Sequence, residues 1–410
     1  MNELEKVICN DVMADHQYVV DLRRYFHMNP ETAKEEFGTA KHIEEELDKL
    51  GIEHKRVGET GVYAEIKGNL AGDKTIVLRA DIDALDVEEA HECPYKSTIP
   101  GKMHACGHDM HTAMLLGAAK ILKQHENELK GMVKLDFQPA EEIFEGSDDM
   151  IKAGLLENPK VDAALMIHVS AAMPMPSGTV IVCDGGVSAP AADYFTIKVQ
   201  GKGCHGSMPD KGIDPISIAA HIITSLHEIH ARELNLLDEA VLTIGSIHGG
   251  NAGNVIPDTV EMSGTIRTYN EETRSYLKQR IQEISESTAK TFRGEAYVTF
   301  GSGCPTLVND TGLSKDISSY TKELLGERGA FSAGQLMAMS GGKPSKQGGS
   351  EDFAYISHKV PSIMLALAAG EPANGYIYPQ HHPKVKFDEQ ILYKGSAVYA
   401  YNAMRWLEEH

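Results

Sequence analysis

Short strand-like apolar runs alternate with longer apolar-periodic stretches between residues 61 and 167, and this alternation constrains the fold more than any other feature of the chain. Segments 61–66 (GVYAEI), 75–78 (TIVL), 132–137 (MVKLDF) and 163–167 (AALMI) read as strands. Segments 111–122 (HTAMLLGAAKIL) and 150–156 read as helices between them. Residues 11–50 are helical by pattern, with Ile43, Leu47 and Leu50 on the apolar side and Gly51 as the stop. Strands alternating with helices predict an α/β fold with a mixed or mostly parallel sheet.

The texture changes at residues 173–190, where Met-Pro-Met-Pro-Ser-Gly and Gly185-Gly186 stand. A strand at 193–200, a helical stretch at 214–233, strands at 240–247 and 259–267 and a helix at 270–292 follow. That β-α-β-β-α order has the size of a small α+β unit. A chain of 410 residues exceeds one ordinary core. The expectation is a domain formed by 1–187 and 296–410, interrupted by an inserted α+β, ferredoxin-like domain at 188–295.

Four segments stop at acid–base or metal-type side chains. Thr75–Arg79 runs into Asp81 and Asp83, and residues 132–138 run into Glu141-Glu142. Residues 163–167 end at His168, and residues 378–380 lead into His381-His382-Pro383. Ligands of open α/β sheets bind beyond the carboxyl ends of the strands, so these residues are candidates for one site. The segment Met103-His104-Ala105-Cys106-Gly107-His108-Asp109-Met110-His111 is the densest signal. Cys106 and His108 would not share a helix face. A turn at Gly107 would let thiolate and imidazole meet one ion, with Asp109 capping the helix or holding a ligand imidazole. Singly, a buried cysteine is usually a small hydrophobe and a glutamate pair a solvated face. Two adjacent carboxylates after an apolar strand need partners, which makes Glu141-Glu142 harder to dismiss.

Asp plus Glu number 59 against 39 Lys plus Arg, a net charge of −20. Such a chain repels phosphate backbones and anionic lipid, so neither nucleic acid nor membrane is an expected partner. Divalent cations are attracted instead. The opening Met1-Asn2-Glu3-Leu4-Glu5-Lys6 has no apolar run typical of a secretory leader, and six cysteines are too sparse for a disulfide framework. A cytoplasmic location is the expectation.

Taken together, these motifs resemble the dinuclear-metal amidohydrolase and carboxypeptidase family of hippurate hydrolase, plant indole-acetyl-amino-acid hydrolases and bacterial aminoacylases. The resemblance runs along nearly the whole chain. It is carried by Leu78–Leu85, the Met103–Thr112 cluster, Phe137-Gln138-Pro139-Ala140-Glu141-Glu142 and Ile167-His168-Val169. In the insert it is carried by 201–209 (GKGCHGSMP), Asn254-Val255-Ile256-Pro257-Asp258 and Gly264-Thr265-Ile266-Arg267. Ser350-Glu351-Asp352-Phe353 and His381-His382-Pro383 complete it.

The resemblance implies two divalent ions per subunit, manganese or zinc first, with cobalt and nickel as alternatives. Cys106 would bridge them, with His108, Glu142, His168 and His381 completing the set and Glu141 as general base. Asp83 would support the ligands from behind, while Asp81 stands where many relatives carry a ligand histidine. His205, on an inserted lid and dimerisation domain, would reach the scissile carbonyl across the interface of a homodimer. Asn254 and Arg267 would bind a substrate carboxylate. The implied reaction is hydrolysis of an N-acyl amino acid, with a dipeptide-cleaving carboxypeptidase or an N-acetyl-diaminopimelate deacetylase as alternatives. A cysteine hydrolase using Cys106 and a non-catalytic metal-binding relative are the rivals from other classes. Several positions depart from the family pattern: His382 beside His381, Cys204 at a frequent glycine, Glu145-Gly146-Ser147-Asp148-Asp149 after the glutamate pair, and the small residues after His168.

Overall fold

The computed structural model describes residues 3–339 and 348–410, with the side chains of 3–6 and of Cys9 outside the described residues. The chain divides into two compact units, one of residues 1–188, 308–345 and 352–410, the other of 189–307 and 346–351.

Among the described residues, eight strands of the first unit form one mixed sheet. Its order is Glu53–Val57, Gly61–Lys67, Lys130–Gln138, Leu70–Asp81, Ala163–Ser170, Ser362–Ala368, Val180–Val182 and Ala330–Ser332. Lys130–Gln138, Leu70–Asp81, Ala163–Ser170 and Ser362–Ala368 run parallel to one another. The first two strands and Val180–Val182 supply the antiparallel pairings. Ile76, Val77, Leu78, Val133, Leu135, Leu165 and Ile167 are fully or almost fully buried. Strands covered on both faces lose the polar alternation of a half-exposed sheet, which is why they read as continuous apolar runs. Helices His108–Gln124 and Leu392–Glu409 pack on each other and bury most of their side chains. The hydroxyl of Tyr399 on the second helix donates to the Arg79 carbonyl at 2.7 Å and accepts from the Ile167 N–H at 2.9 Å. Two neighbouring strands are thereby held at the level where their functional ends begin.

The second unit is an antiparallel sheet in the order Ala240–His248, Thr259–Thr268, Ala191–Gln200 and Glu295–Cys304. Helices Pro215–Glu228 and Glu271–Thr291 pack on it. Phe195, Ile197, Val199, Val260, Met262 and Ile266 alternate inward and meet Ile218, Ile222, Leu277 and Ile281. In chain order this is β-α-β-β-α-β, the ferredoxin-like arrangement. The inserted unit does not end at residue 295: Glu295–Cys304 is its fourth strand. Gly301 and Gly303, beside a register shift after Phe300, blur that strand's period-two signal in the sequence. Among the described residues no helix is long and apolar enough to cross a membrane.

Candidate metal centre

Three parallel strand ends, the turn before one helix and a loop near the C-terminus deliver the predicted ligands and their supporting aspartate. Leu70–Asp81 leads to Asp83, Lys130–Gln138 leads to the turn Glu141–Ile143, and His168 lies on Ala163–Ser170. Cys106 precedes the helix at His108–Gln124, with Gly107 between them in the left-handed region at φ 97°. A Cβ on Gly107 would come within 2.5 Å of Val169 Cγ2, so glycine alone permits this turn. The glutamate turn is also held in an uncommon shape. Ala140 has φ 54° and Phe144 φ 58°, and the Ala140 N–H donates to Glu36 Oε1 at 2.8 Å. Non-glycine residues in that region persist only when their surroundings fix them.

One ligand-type atom from each of Cys106, His108 and His168 lies within 4.8 Å of the others. Cys106, Glu142 and His381 form a second such group, and His108, Glu141 and Glu142 a third. Cys106 Sγ is 3.6 Å from His168 Nε2, and Glu142 Oε1 is 3.6 Å from His381 Nε2 and 3.9 Å from His108 Nε2. Six sequence-predicted residues therefore meet in one place: Cys106, His108, Glu141, Glu142, His168 and His381. Of the adjacent histidine pair, His381 joins the cluster. His382 instead stacks on Tyr378 at 4.4 Å, and its Nδ1 accepts the Lys384 N–H.

The imidazoles of His168 and His108 are both oriented from behind. His168 Nδ1 donates to the Val169 carbonyl at 2.6 Å, and His108 Nδ1 to the Asp83 carbonyl at 2.9 Å. In each ring Nε2 is thereby the lone-pair nitrogen facing the cluster, the arrangement metal-binding histidines adopt. Burial, with His111 alongside, drives His168 down to about 3, so its imidazole is neutral at ordinary pH. Burial raises the Glu142 carboxyl to about 7, with His108 pulling against and Asp83 and Asp81 adding to the push. Burial and Glu142 likewise push the Cys106 thiol up, which disfavours a free nucleophilic thiolate.

His108 Nε2 and Glu142 Oε1 are buried without a hydrogen-bond partner. Each such atom costs about 1–3 kcal/mol if nothing replaces its lost water. A thiol, imidazoles and carboxylates at this spacing fit a pair of borderline divalent cations, whose coordination would offset that cost.

Other members of the histidine-rich segment have different tasks. His111 donates from Nδ1 to Asp81 and accepts the Val169 N–H at Nε2, so both nitrogens are engaged. Asp109 neither caps the helix nor touches a cluster imidazole, contrary to expectation: Gly107 is the cap, and Asp109 binds Arg23 and His27 at 2.8 Å each. Under the cluster, a fully buried Arg79 bonds Gln138, Asp81 and Asp352, and Asp352 also accepts the Ser147 N–H. Residue type and local spacing assign Arg79 no role. An arginine inside an otherwise apolar strand was its signal, and Asp352 in the Glu-Asp-Phe motif was the matching half.

The remaining predicted residues belong to the second unit. Cys204–His205 pairs with Val255–Ile256, and the Gly206 N–H donates to the Asn254 carbonyl at 2.8 Å, which sets His205 beside Asn254. Both side chains are exposed. The Ser207 N–H donates to His205 Nδ1 at 3.1 Å, so a neutral His205 carries its proton on Nε2. Arg267, on Thr259–Thr268, donates to Ser350 Oγ at 2.6 Å.

The sequence model of Peptidase family M20/M25/M40 matches residues 77–405. The chain is 38% identical over 396 residues to N-acetyl-L-cysteine deacetylase of Bacillus subtilis, covering 96% of this chain and 89% of that one. It is 37% identical to IAA-amino acid hydrolase ILR1-like 2 of Arabidopsis thaliana, with coverage of 96% and 86%. Among solved structures, the Bacillus subtilis YXEP protein, described as a dinuclear metal binding peptidase from the M20 family, superposes with a TM-score of 0.77. That pair shares 33% identity and covers 97% and 99% of the two chains.

Proposed function

The chain belongs to peptidase family M20/M25/M40, and from that premise we propose that this hydrolase cleaves the amide bond of N-acyl amino acids or closely related small amides. The observation that carries the reading is the meeting of Cys106, His108, Glu142, His168 and His381 around unpartnered buried atoms, with Glu141 beside them. The names of the deacetylase and amino acid hydrolase relatives support the substrate class.

In this reading Cys106, His108, Glu142, His168 and His381 hold two divalent cations, manganese or zinc in preference to cobalt or nickel. Bound there, the cations supply Lewis acidity that eases deprotonation of water and polarises an amide carbonyl. Glu141, buried and adjacent in sequence to Glu142, takes a proton from the attacking water and passes it to the departing nitrogen. Asp83 keeps His108 and Glu142 in place. His205 donates its Nε2–H to the carbonyl oxygen as negative charge builds there. Asn254 and Arg267 bind the carboxylate of the amino acid product half. The inserted unit serves as a lid and as the contact of a homodimer.

The test is hydrolysis of a panel of N-acetyl and N-benzoyl amino acids and dipeptides by protein reconstituted with manganese or zinc. Release of free amino acid from the acylated series is expected. Turnover of dipeptides alone would move the assignment to a metallo-dipeptidase, and no turnover in either series would end it.

A further inference from the structure

A second set of ligand-type residues lies on the loop after the Leu70–Asp81 strand. Glu89, His91 and Cys93 each offer one ligand atom, and these atoms lie within 4.8 Å of one another. Glu89 Oε1 is the hub. It is 3.4 Å from His91 Nδ1, 3.8 Å from Cys93 Sγ and 3.2 Å from His27 Nε2. Bonds of roughly 2.0–2.3 Å to a tetrahedral zinc would separate its ligand atoms by about 3.3–3.5 Å. The three spacings from Glu89 Oε1 bracket that range.

Two independent features point to a ligand. The His91 side chain is only 9% exposed, and its Nδ1 is buried with no hydrogen-bond partner although it faces Glu89. A bare nitrogen lone pair beside a carboxylate oxygen is repelled, so Nδ1 needs a proton or a metal ion on that side, and no hydrogen bond of good geometry supplies the proton. His27 is fully buried, with Nδ1 bonded to Asp109 Oδ2 at 2.8 Å and Nε2 bonded to Glu89 Oε1 at 3.2 Å, so an ion bound here would replace the proton shared by His27 and Glu89. A carboxylate holding one imidazole nitrogen while the other faces a cluster is how zinc-binding histidines are oriented.

We propose that Glu89, His91, Cys93 and His27 form a further transition-metal site, separate from the Cys106 cluster, that takes one zinc-like divalent ion. Its S, N, N, O donor set leaves no open position, so the site is structural rather than hydrolytic. Binding releases two protons to solvent, one from the Cys93 thiol and one from between His27 and Glu89. Glu89 Oε2 stays oriented by the Ser97 N–H at 2.6 Å. The Ala90 N–H donates to the Pro383 carbonyl at 2.8 Å, so the ion would steady the segment that carries His381. The proposal does not depend on the reaction proposed above.

The full-length protein is stripped of metal, titrated with Zn2+, desalted and analysed for zinc. The His91→Ala/Cys93→Ala variant is expected to hold one equivalent fewer than wild type. Equal zinc content in the two proteins would overturn the site. A second measurement does not depend on that variant folding: the Co2+-loaded Cys106→Ser protein is expected to keep thiolate-to-cobalt charge-transfer absorption, which adding Cys93→Ser abolishes. Absence of that absorption from Cys106→Ser, or its survival in Cys106→Ser/Cys93→Ser, would also overturn it.

Discussion

The Asp83 carboxylate accepts the backbone N–H of Glu142 at 3.0 Å. Its other oxygen is 3.3 Å from His108 Nδ1, whose main hydrogen bond goes to the Asp83 carbonyl. One buried residue thus fixes an imidazole from one segment and a glutamate from another. Neither can turn without disturbing the other through Asp83.

Asp83→Ala removes both side-chain contacts and leaves the ligands themselves intact. Metal affinity is expected to fall about 10–100-fold, the usual cost of losing such support. Competition against a chelator of known affinity measures it. Unchanged affinity would mean that the backbone carbonyl alone orients His108.

Glu141→Gln keeps the shape of the turn but removes the proton acceptor. Turnover is expected to drop about 10²–10⁴-fold, with metal content unchanged by elemental analysis. Near-wild-type activity in the metal-loaded variant would assign the base elsewhere.

His205 lies in a different unit from the cluster, so His205→Ala should spare metal content altogether. The expected effect is on kcat, a loss of about 10²–10³-fold from one missing donor to a developing oxyanion. A change confined to KM would make it a substrate-binding residue only.

Asp136 provides a pH test of stability. It is fully buried on Lys130–Gln138, and neither of its oxygens has a hydrogen-bond partner. Burial, opposed by Arg79 and aided by Asp81, raises it to about 7 from the ordinary 3.8. The folded state therefore binds this proton more tightly than the unfolded chain. Stability from this group is full below pH 4 and is lost as pH rises from about 4 to about 7, after which the loss is constant. Asp136→Asn should gain stability relative to wild type by roughly 1–3 kcal/mol above pH 7 and lose that advantage near pH 4. Thermal unfolding of both proteins at pH 5 and pH 8 measures this. An equal difference at the two pH values would contradict it.

Much of the first unit was legible because a sheet covered on both faces leaves long apolar runs, and because metal-type residues cluster at their ends. Glu295–Cys304 is not legible as a strand because two glycines interrupt its alternation. The pairing of Arg79 with Asp352 spans 273 positions and leaves no local pattern. Asp109 looked like a cap from its place before an apolar helix, yet its partners Arg23 and His27 lie on a helix some 80 positions earlier.

The sequence by itself determined the alternation of elements, the residues able to bind metal and the family, since these depend on residue type and short-range spacing. Tertiary structure decided which candidates meet. His381 rather than His382 turns toward Glu142 because its backbone adopts φ 65° and its N–H is held by the Ala105 carbonyl. His111 lies in the same segment as His108, but Asp81 and Val169 engage both its nitrogens. Spacing along the chain offers several histidines to one ion, whereas hydrogen bonds from distant strands determine which nitrogen lone pairs are left to bind it.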